Sequence, residues 1–383
     1  YNRKIHNRTD DSVGIVMNNK FRLIRRSRGY APASVLTKFN TEGIFAVGAE
    51  FVNCFCIGKD NRAFMSQHIG DLKNLETFEF YKESYNLYKR LFRFNPGFIV
   101  SDLHPDYLST KFANAISEES PQIIHLKVQH HHAHIASCMA ENDLDEKVIG
   151  IAFDGVGLGT DKHIWGSEFF INDLKEFERK HHFEYIEVSG GDAVSKEPWR
   201  SAFSYLFGYF GEEAINIAES CMPEIDRSKL KMYMNVLKNK FNIYQTSSAG
   251  RLFDAVSALT GMVSYAGYHA EAPMKLESVI DSSERESYAF EMNESISFKK
   301  TFIGILEDIK VGTDISKISA KFHNTVSDVI LRTAKCLRKT TGLNKVVLSG
   351  GTFQNKYLSE KVEKDLTRNE FQVYTQSKLP SND

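Results

Sequence analysis

One arrangement occurs twice along this chain and narrows what it can fold into. "GIFAVGAEFVNCFCIGKDNRAFMSQHIG" (43–70) reads as an apolar strand, a small-residue turn at Gly48-Ala49-Glu50, a second strand, a turn at Lys59-Asp60-Asn61 and a third strand. "KVIGIAFDGVGLGTDKHIWGSEFFIND" (147–173) follows the same plan: a strand, a Gly-rich turn bearing an acid, and a second strand. Two such units about a hundred residues apart predict a duplicated α/β architecture rather than one sheet. Near the end, "NKVVLSGGTFQNKYLSEKVEKDL" predicts a buried strand, a Ser-Gly-Gly turn and a helix.

The segments between these units complete the outline. "DDSVGIVMNNKFRLIRRSRGYAP" (10–32) reads as two short strands joined at Asn18-Asn19, too few residues to bury a core of their own. "TFEFYKESYNLYKRLFRFN" has the spacing of an amphipathic helix, and "GFIVSDLHPDYLS" reads as a buried strand with a polar end. Residues 196–290 are mostly helix-patterned.

Composition excludes some classes. The 383 residues carry a net charge of -1, so no electrostatic reason points to nucleic acid or an anionic membrane surface as partner. No stretch approaches the roughly 18 apolar residues needed to span a bilayer. Tyr1 is read as a trimmed end, without a targeting leader. The five scattered cysteines, Cys54, Cys56, Cys138, Cys221 and Cys336, suggest reduced thiols and a cytoplasmic location.

Three motifs could carry chemistry. In "FDGVGLGTD", Asp154 is expected at a strand end, followed by Gly155, Gly157, Gly159 and Thr160. Such glycines let backbone N–H groups approach phosphate oxygens, or they serve only to give a hairpin its positive φ. In "VVLSGGTFQN", a helix start after Ser349-Gly350-Gly351 would suit a phosphate or ribose, although Gly-Gly turns also occur for steric reasons. Two acid-bearing strand loops with a Gly-Gly turn are the layout of actin, the sugar kinases and Hsp70.

The third motif is "VQHHHAHIASCMAEN" (128–142), with four of the 13 histidines within five residues. On a helix, His130 and His134 share one face and can reach one cation, while His131 and His132 point elsewhere. A third ligand, most simply a carboxylate, would have to come from another segment. Two histidines and a carboxylate suit Fe(II), with zinc as competitor. Cys138, between small and apolar neighbours, reads as packed rather than reactive. "KEPWRSAF" reads as a proline-initiated helix that also sets Arg200 where it could line a cleft.

Together, "VGAEFVNCFCIGKDNRAFMSQHIGDLKNLETFEFY", "SDLHPDYLSTKFA", "VQHHHAHIAS", "IAFDGVGLGTDKHIWGSEFF", "KEPWRSAFSYL", "TSSAGRLFDAVSAL", "LSGGTFQNKYL" and "SND" closely resemble the HypF family from Tyr1 to Asp383. These are carbamoyltransferases of nickel–iron hydrogenase maturation. The resemblance implies a duplicated, two-lobed actin-like α/β fold similar to the tRNA threonylcarbamoyl-transferase. Residues 1–36 would be the tail of a YrdC-like domain, 37–146 the first lobe and 147–383 the second. It also implies transfer of carbamoyl from carbamoyl adenylate, made from carbamoyl phosphate and ATP/Mg, to the C-terminal cysteine of HypE. By the same resemblance His130, His134 and Asp383 bind a divalent metal (Fe or Zn). Asp154, Gly155, Gly157, Gly159, Thr160, Ser349, Gly350, Gly351 and Asn355 would bind the nucleotide. Glu50, Arg200, Arg251 and Asp254 are candidates for the substrate cleft.

The chain also departs from the family pattern. The acylphosphatase-like, zinc-finger-like and most of the YrdC-like parts are not in it, so adenylate synthesis is expected to lie outside it, and the family's Gly-Gly turn and closing helix after "SND" are also missing. Val52 stands where the first loop often has lysine. An enzymatic rival is an O-carbamoyltransferase acting on a small-molecule hydroxyl. A rival of another class is a docking subunit that binds nucleotide and metal without transfer.

Overall fold

The structure is a computed structural model and describes residues 7–382. Its strands in chain order are β1 (Val13–Met17), β2 (Lys20–Arg25), β3 (Val35–Leu36), β4 (Ile44–Ala46), β5 (Cys56–Lys59), β6 (Arg62–Met65), β7 (Phe98–Asp102), β8 (Ile124–Val128), β9 (Val148–Leu158), β10 (Ile164–Asn172), β11 (Phe177–His182), β12 (Ile186–Ser189), β13 (Ile243–Thr246), β14 (Glu291–Met292), β15 (Ile296–Ser297), β16 (Lys345–Ser349) and β17 (Gln372–Tyr374). The helices are α1 (Leu75–Phe92), α2 (Leu108–Glu119), α3 (His130–Glu141), α4 (Ala193–Lys196), α5 (Pro198–Phe210), α6 (Ala214–Cys221), α7 (Arg227–Lys238), α8 (Ala249–Leu259), α9 (Glu271–Ser278), α10 (Lys299–Val311), α11 (Ile315–Thr341) and α12 (Lys356–Arg368).

The predicted duplication is visible in strand order. In the first sheet β6, β5 and β4 run antiparallel, and β7 and β8 follow parallel to β4. In the second, β11, β10 and β9 run antiparallel, and β16 and β17 follow parallel to β9. The same five-strand order in both sheets is the two-lobed actin-like α/β fold. β3 extends the first sheet, and β12 and β13 extend the second from β10.

Burial explains why each unit forms. Tyr81, Ser84, Tyr85 and Tyr88 of α1 fall at i, i+3, i+4 and i+7, one face of the helix, and are buried. Three of them, Tyr81, Tyr85 and Tyr88, share a core with Phe45, Phe55 and Ile57 of the first sheet. β9 is buried on both faces with a period of two. Ile149, Ile151 and Phe153 enter the large second core, while Val148 and Ala152 pack with Ile135, Cys138 and Met139 of α3. Thus α3 follows the last strand of the first sheet in the chain yet lies on the second sheet.

Asn18 and Asn19, both with positive φ, join β1 to β2 as a two-residue hairpin. That hairpin is tied to both lobes. Asn18 N–H donates to Glu360 (3.0 Å) and the buried Arg22 pairs with Glu363, both on α12. Arg26 donates to the Met65 carbonyl at 3.3 Å, beside the first sheet.

Two local expectations change. Most of "FDGVGLGTD" is strand, not turn: β9 continues through Asp154, Gly155 and Gly157 to Leu158, the chain reverses only over 159–163, and among residues 155–163 only Lys162 has positive φ. Gly157 and Gly159 answer close approach, not reversal of the chain. The Gly-Gly segment leads into a 3-10 turn (Gly351–Gln354), and α12 begins only at Lys356 because Asn355, in extended conformation, caps it. No helix N-terminus lies directly behind Gly350-Gly351. Residues 196–290 are mostly helical as expected, apart from β13, the turns between helices and two longer irregular stretches, 260–270 and 279–290.

Candidate metal centre

His130 and His134 begin α3, whose first turn is capped by the Gln129 side-chain oxygen accepting from His132 N–H. Spacing of four stacks the two imidazoles on one face. Their Nε2 atoms are 3.2 Å apart, and Asp154 Oδ2 lies 3.3 Å from His130 and 3.1 Å from His134. Two ring nitrogens this close to each other and to a carboxylate oxygen are favourable only with positive charge among them, a proton or a cation. Ligand atoms held about 2.0–2.2 Å from one ion stand about 3.0–3.5 Å apart, so this donor set fits a metal. It is also the only such three-residue group found among the described residues.

The surroundings aim these groups. His130 Nδ1 lies 2.8 Å from Asp102 Oδ2, at the end of β7; an ionised carboxylate only accepts, so the proton sits on Nδ1 and Nε2 faces the cluster. Asp154 Oδ1 accepts from Gly155 N–H at 2.7 Å, which turns Oδ2 to the histidines. Burial by itself would raise the Asp154 pKa, but hydrogen bonds and charge from His130 and His134 outweigh it and hold the carboxyl well below the usual range.

A Cβ on Gly157 would meet His131 Cε1 at 2.4 Å and His130 Cβ at 3.1 Å, so glycine is what lets α3 lie against β9. Gly350 is as close to the Phe153 backbone, and a Cβ on Gly351 would stand 2.9 Å from Asp154 Oδ1. The start of α8 closes another side, where Ser248 caps the helix and donates to the Gly155 carbonyl at 2.7 Å. The end of β7, strand β9, the Gly-Gly turn and the starts of α3 and α8 therefore converge around the cluster.

The expected site residues divide. His130, His134, Asp154, Gly155, Gly157, Gly350 and Gly351 come together, while the expected Asp383 lies outside the described residues. Gly159 packs against Trp165, and Thr160 is exposed at the hairpin tip. Ser349 is buried beneath the turn, its hydroxyl accepting from Gln376 at 3.0 Å. Asn355 is committed at both ends, to Leu358 N–H (2.9 Å) and to His323 Nε2 (2.9 Å). Glu50 caps the start of α2 through Leu108 N–H (2.6 Å), and burial raises its pKa. Arg200 pairs with Glu197 beside Trp199. Arg251 pairs with Asp254 at 3.0 Å along α8, one turn from the Ser248 cap. Sequence reasoning missed Asp102 and Ser248. The polar end of "FIVSD" was the only hint of Asp102, and nothing local marked Ser248 beyond its place before a helix.

A duplicated actin-like fold with a His–His–Asp cluster between its lobes defines a Kae1-like domain. Residues 39–141 match the family described as "HypF Kae1-like domain", and 150–383 match "Carbamoyltransferase, Kae1-like Domain, second subdomain". The chain belongs to the HypF family.

The HypF carbamoyltransferase of Synechocystis sp. is 32% identical across 98% of this chain, which covers 50% of that protein. The probable HypF carbamoyltransferase of Methanocaldococcus jannaschii is 32% identical across the whole chain, again over 50% of its own length. Full-length HypF, crystallised in a phosphate- and nucleotide-bound form, superposes with a TM-score of 0.93 at 42% identity, over all of this chain and 50% of that one. This chain thus spans about half the length of these relatives.

Proposed function

We propose that this chain is the carbamoyl-transfer part of a HypF-type enzyme. It would pass carbamoyl from carbamoyl adenylate, itself made from carbamoyl phosphate and ATP, to the C-terminal cysteine of HypE, towards the cyanide ligands of nickel–iron hydrogenase. In this reading residues 1–36 are the tail of a YrdC-like domain, and 37–146 and 147–383 are the two transfer lobes. The observation that carries it is the His130–His134–Asp154 cluster at the meeting point of the lobes, in a member of the HypF family.

A divalent ion held by His130, His134 and Asp154, with Asp383 as the further ligand that family resemblance implies, would supply Lewis acidity to phosphate and carbamoyl oxygens. Imidazole and carboxylate donors suit Fe(II) or zinc. Asp102 keeps the His130 proton on Nδ1, and Asp154 is kept ionised by its neighbours. The Gly351 backbone and the start of α8 at the Ser248 cap lie beside the cluster, where an adenylate phosphate would sit. In the transfer, the partner's thiolate forms the S–C bond, the carbamoyl C–O bond to phosphate breaks, and AMP leaves with the electron pair. The described residues therefore need to provide no nucleophile.

The test supplies synthetic carbamoyl adenylate and two acceptors, a peptide ending in the HypE cysteine and a sugar alcohol. Thiocarbamate on the peptide, lost in His134→Ala, is expected. Carbamoylation of the alcohol alone would replace this reading with the O-carbamoyltransferase one, and AMP release without an acylated product would remove transfer altogether.

A further inference from the structure

The last residue of α3, Glu141, is 8% exposed and has no part in the cluster at the other end of the helix. Its carboxylate instead grips a distant segment. Oε1 accepts from Ser377 N–H (2.8 Å), the Ser377 hydroxyl (2.8 Å) and Lys378 N–H (2.9 Å), and Oε2 accepts from Leu379 N–H (3.0 Å). Beside it, the Asn142 amide donates to the Thr375 carbonyl at 3.2 Å. Three successive backbone donors on one carboxylate form an anion-holding turn, with the anion supplied by α3 itself.

From that grip the chain runs back to the cluster. The Ser381 carbonyl accepts from Gly350 N–H at 2.9 Å. The space at Gly351 is bounded by Asp154 Oδ1 on one side and the Asn382 Cβ on the other, 2.9 and 3.7 Å from where a Cβ would stand. One rigid helix therefore carries the two imidazoles at its start and, at its end, the clamp that sets the course of residues 375–382 toward Asp154.

We propose that Glu141 is a positioning residue of the metal centre: by holding Ser377–Leu379 it fixes the path of the segment that ends beside Asp154. The inference rests on the metal reading given above, and Asp383 follows Asn382 directly in the chain. It does not require Glu141 to touch metal or substrate.

The experiment compares Glu141→Gln, Glu141→Ala and His130→Ala in the full chain. It reads amide hydrogen exchange at Ser377, Lys378 and Leu379, and Zn(II) affinity by competition with a chromogenic chelator. Glu141→Ala should speed exchange of those amides at least tenfold and weaken Zn(II) about tenfold, the lower end of what losing a group bonded directly to a ligand costs, because Glu141 acts one step further out. Glu141→Gln, which keeps the shape and part of the acceptor capacity, should fall between, guarding against a folding defect in the alanine variant. Unchanged exchange in Glu141→Ala would overturn the clamp. Faster exchange with Zn(II) affinity within twofold of the unmutated chain, while His130→Ala loses Zn(II), would overturn its role in the metal centre alone. Zn(II) binding that survives His130→Ala would overturn the underlying metal reading instead, and this inference with it.

Discussion

His323 and Asp254 are the buried titratable groups whose neighbours make opposite demands. His323 Nδ1 donates to the Ser319 carbonyl at 2.7 Å, and Nε2 takes the Asn355 amide, so a second proton has no acceptor; burial lowers its pKa to about 4. Burial raises Asp254 to about 6, with Arg251 opposing. For His323 the folded pKa lies below the unfolded one, so its stability contribution is present above about pH 6.5 and fades as pH falls towards 4. For Asp254 the sign is reversed: its contribution is present below about pH 4 and is lost as pH rises through 6. Each spans on the order of 3 kcal/mol, and the two oppose each other between pH 4 and 6. Asp254→Asn should therefore steepen the acid loss of stability between pH 6.5 and 4, and His323→Gln should flatten it. Urea midpoints at several pH values decide this, and parallel curves for all three chains would contradict it.

At the scale of elements, the contact between α3 and β9 decides whether the cluster forms. Gly157→Ala would force a Cβ to within 2.4 Å of His131, which should cost about 1–3 kcal/mol and displace the imidazoles. Gly155→Ala, with nothing within 4 Å, should be nearly neutral. Thermal melts and Zn(II) titration of both variants check the contrast, and equal behaviour would sink it. This contact also shows where the sequence was legible. The helix at 130–141, the i, i+4 imidazole pair and the Asn18-Asn19 hairpin follow from local periodicity and turn chemistry. The role of Gly157 does not, because a glycine needed for close approach and one needed for positive φ look alike until the partner helix is in place. Asp154 was expected to serve the nucleotide, and its partnership with the histidines arises only when α3, which follows the first sheet in the chain, packs onto β9 of the second.

Across the whole molecule, the N-terminal hairpin pins the lobes together through the buried Arg22–Glu363 pair on one side and Arg26–Met65 on the other. Breaking a buried pair from one side leaves an uncompensated charge, so Arg22→Met should lose about 3–5 kcal/mol and Arg22→Met with Glu363→Leu much less; urea unfolding separates the two, and an equal loss in both would contradict the pin. The duplicated fold was readable because each unit has its own strand and glycine pattern. The pin was not, since it joins residues more than three hundred positions apart. The most direct test of the metal centre is bound metal per chain, by elemental analysis, in the unmutated protein and in His130→Ala, His134→Ala, Asp154→Asn and Asp102→Asn. About one Fe or Zn per chain is expected, lost in the two histidine variants and in Asp154→Asn, and weakened 10- to 100-fold in Asp102→Asn. Metal retained in His130→Ala and His134→Ala, or none bound by the unmutated chain after incubation with Fe(II) and Zn(II), would contradict it.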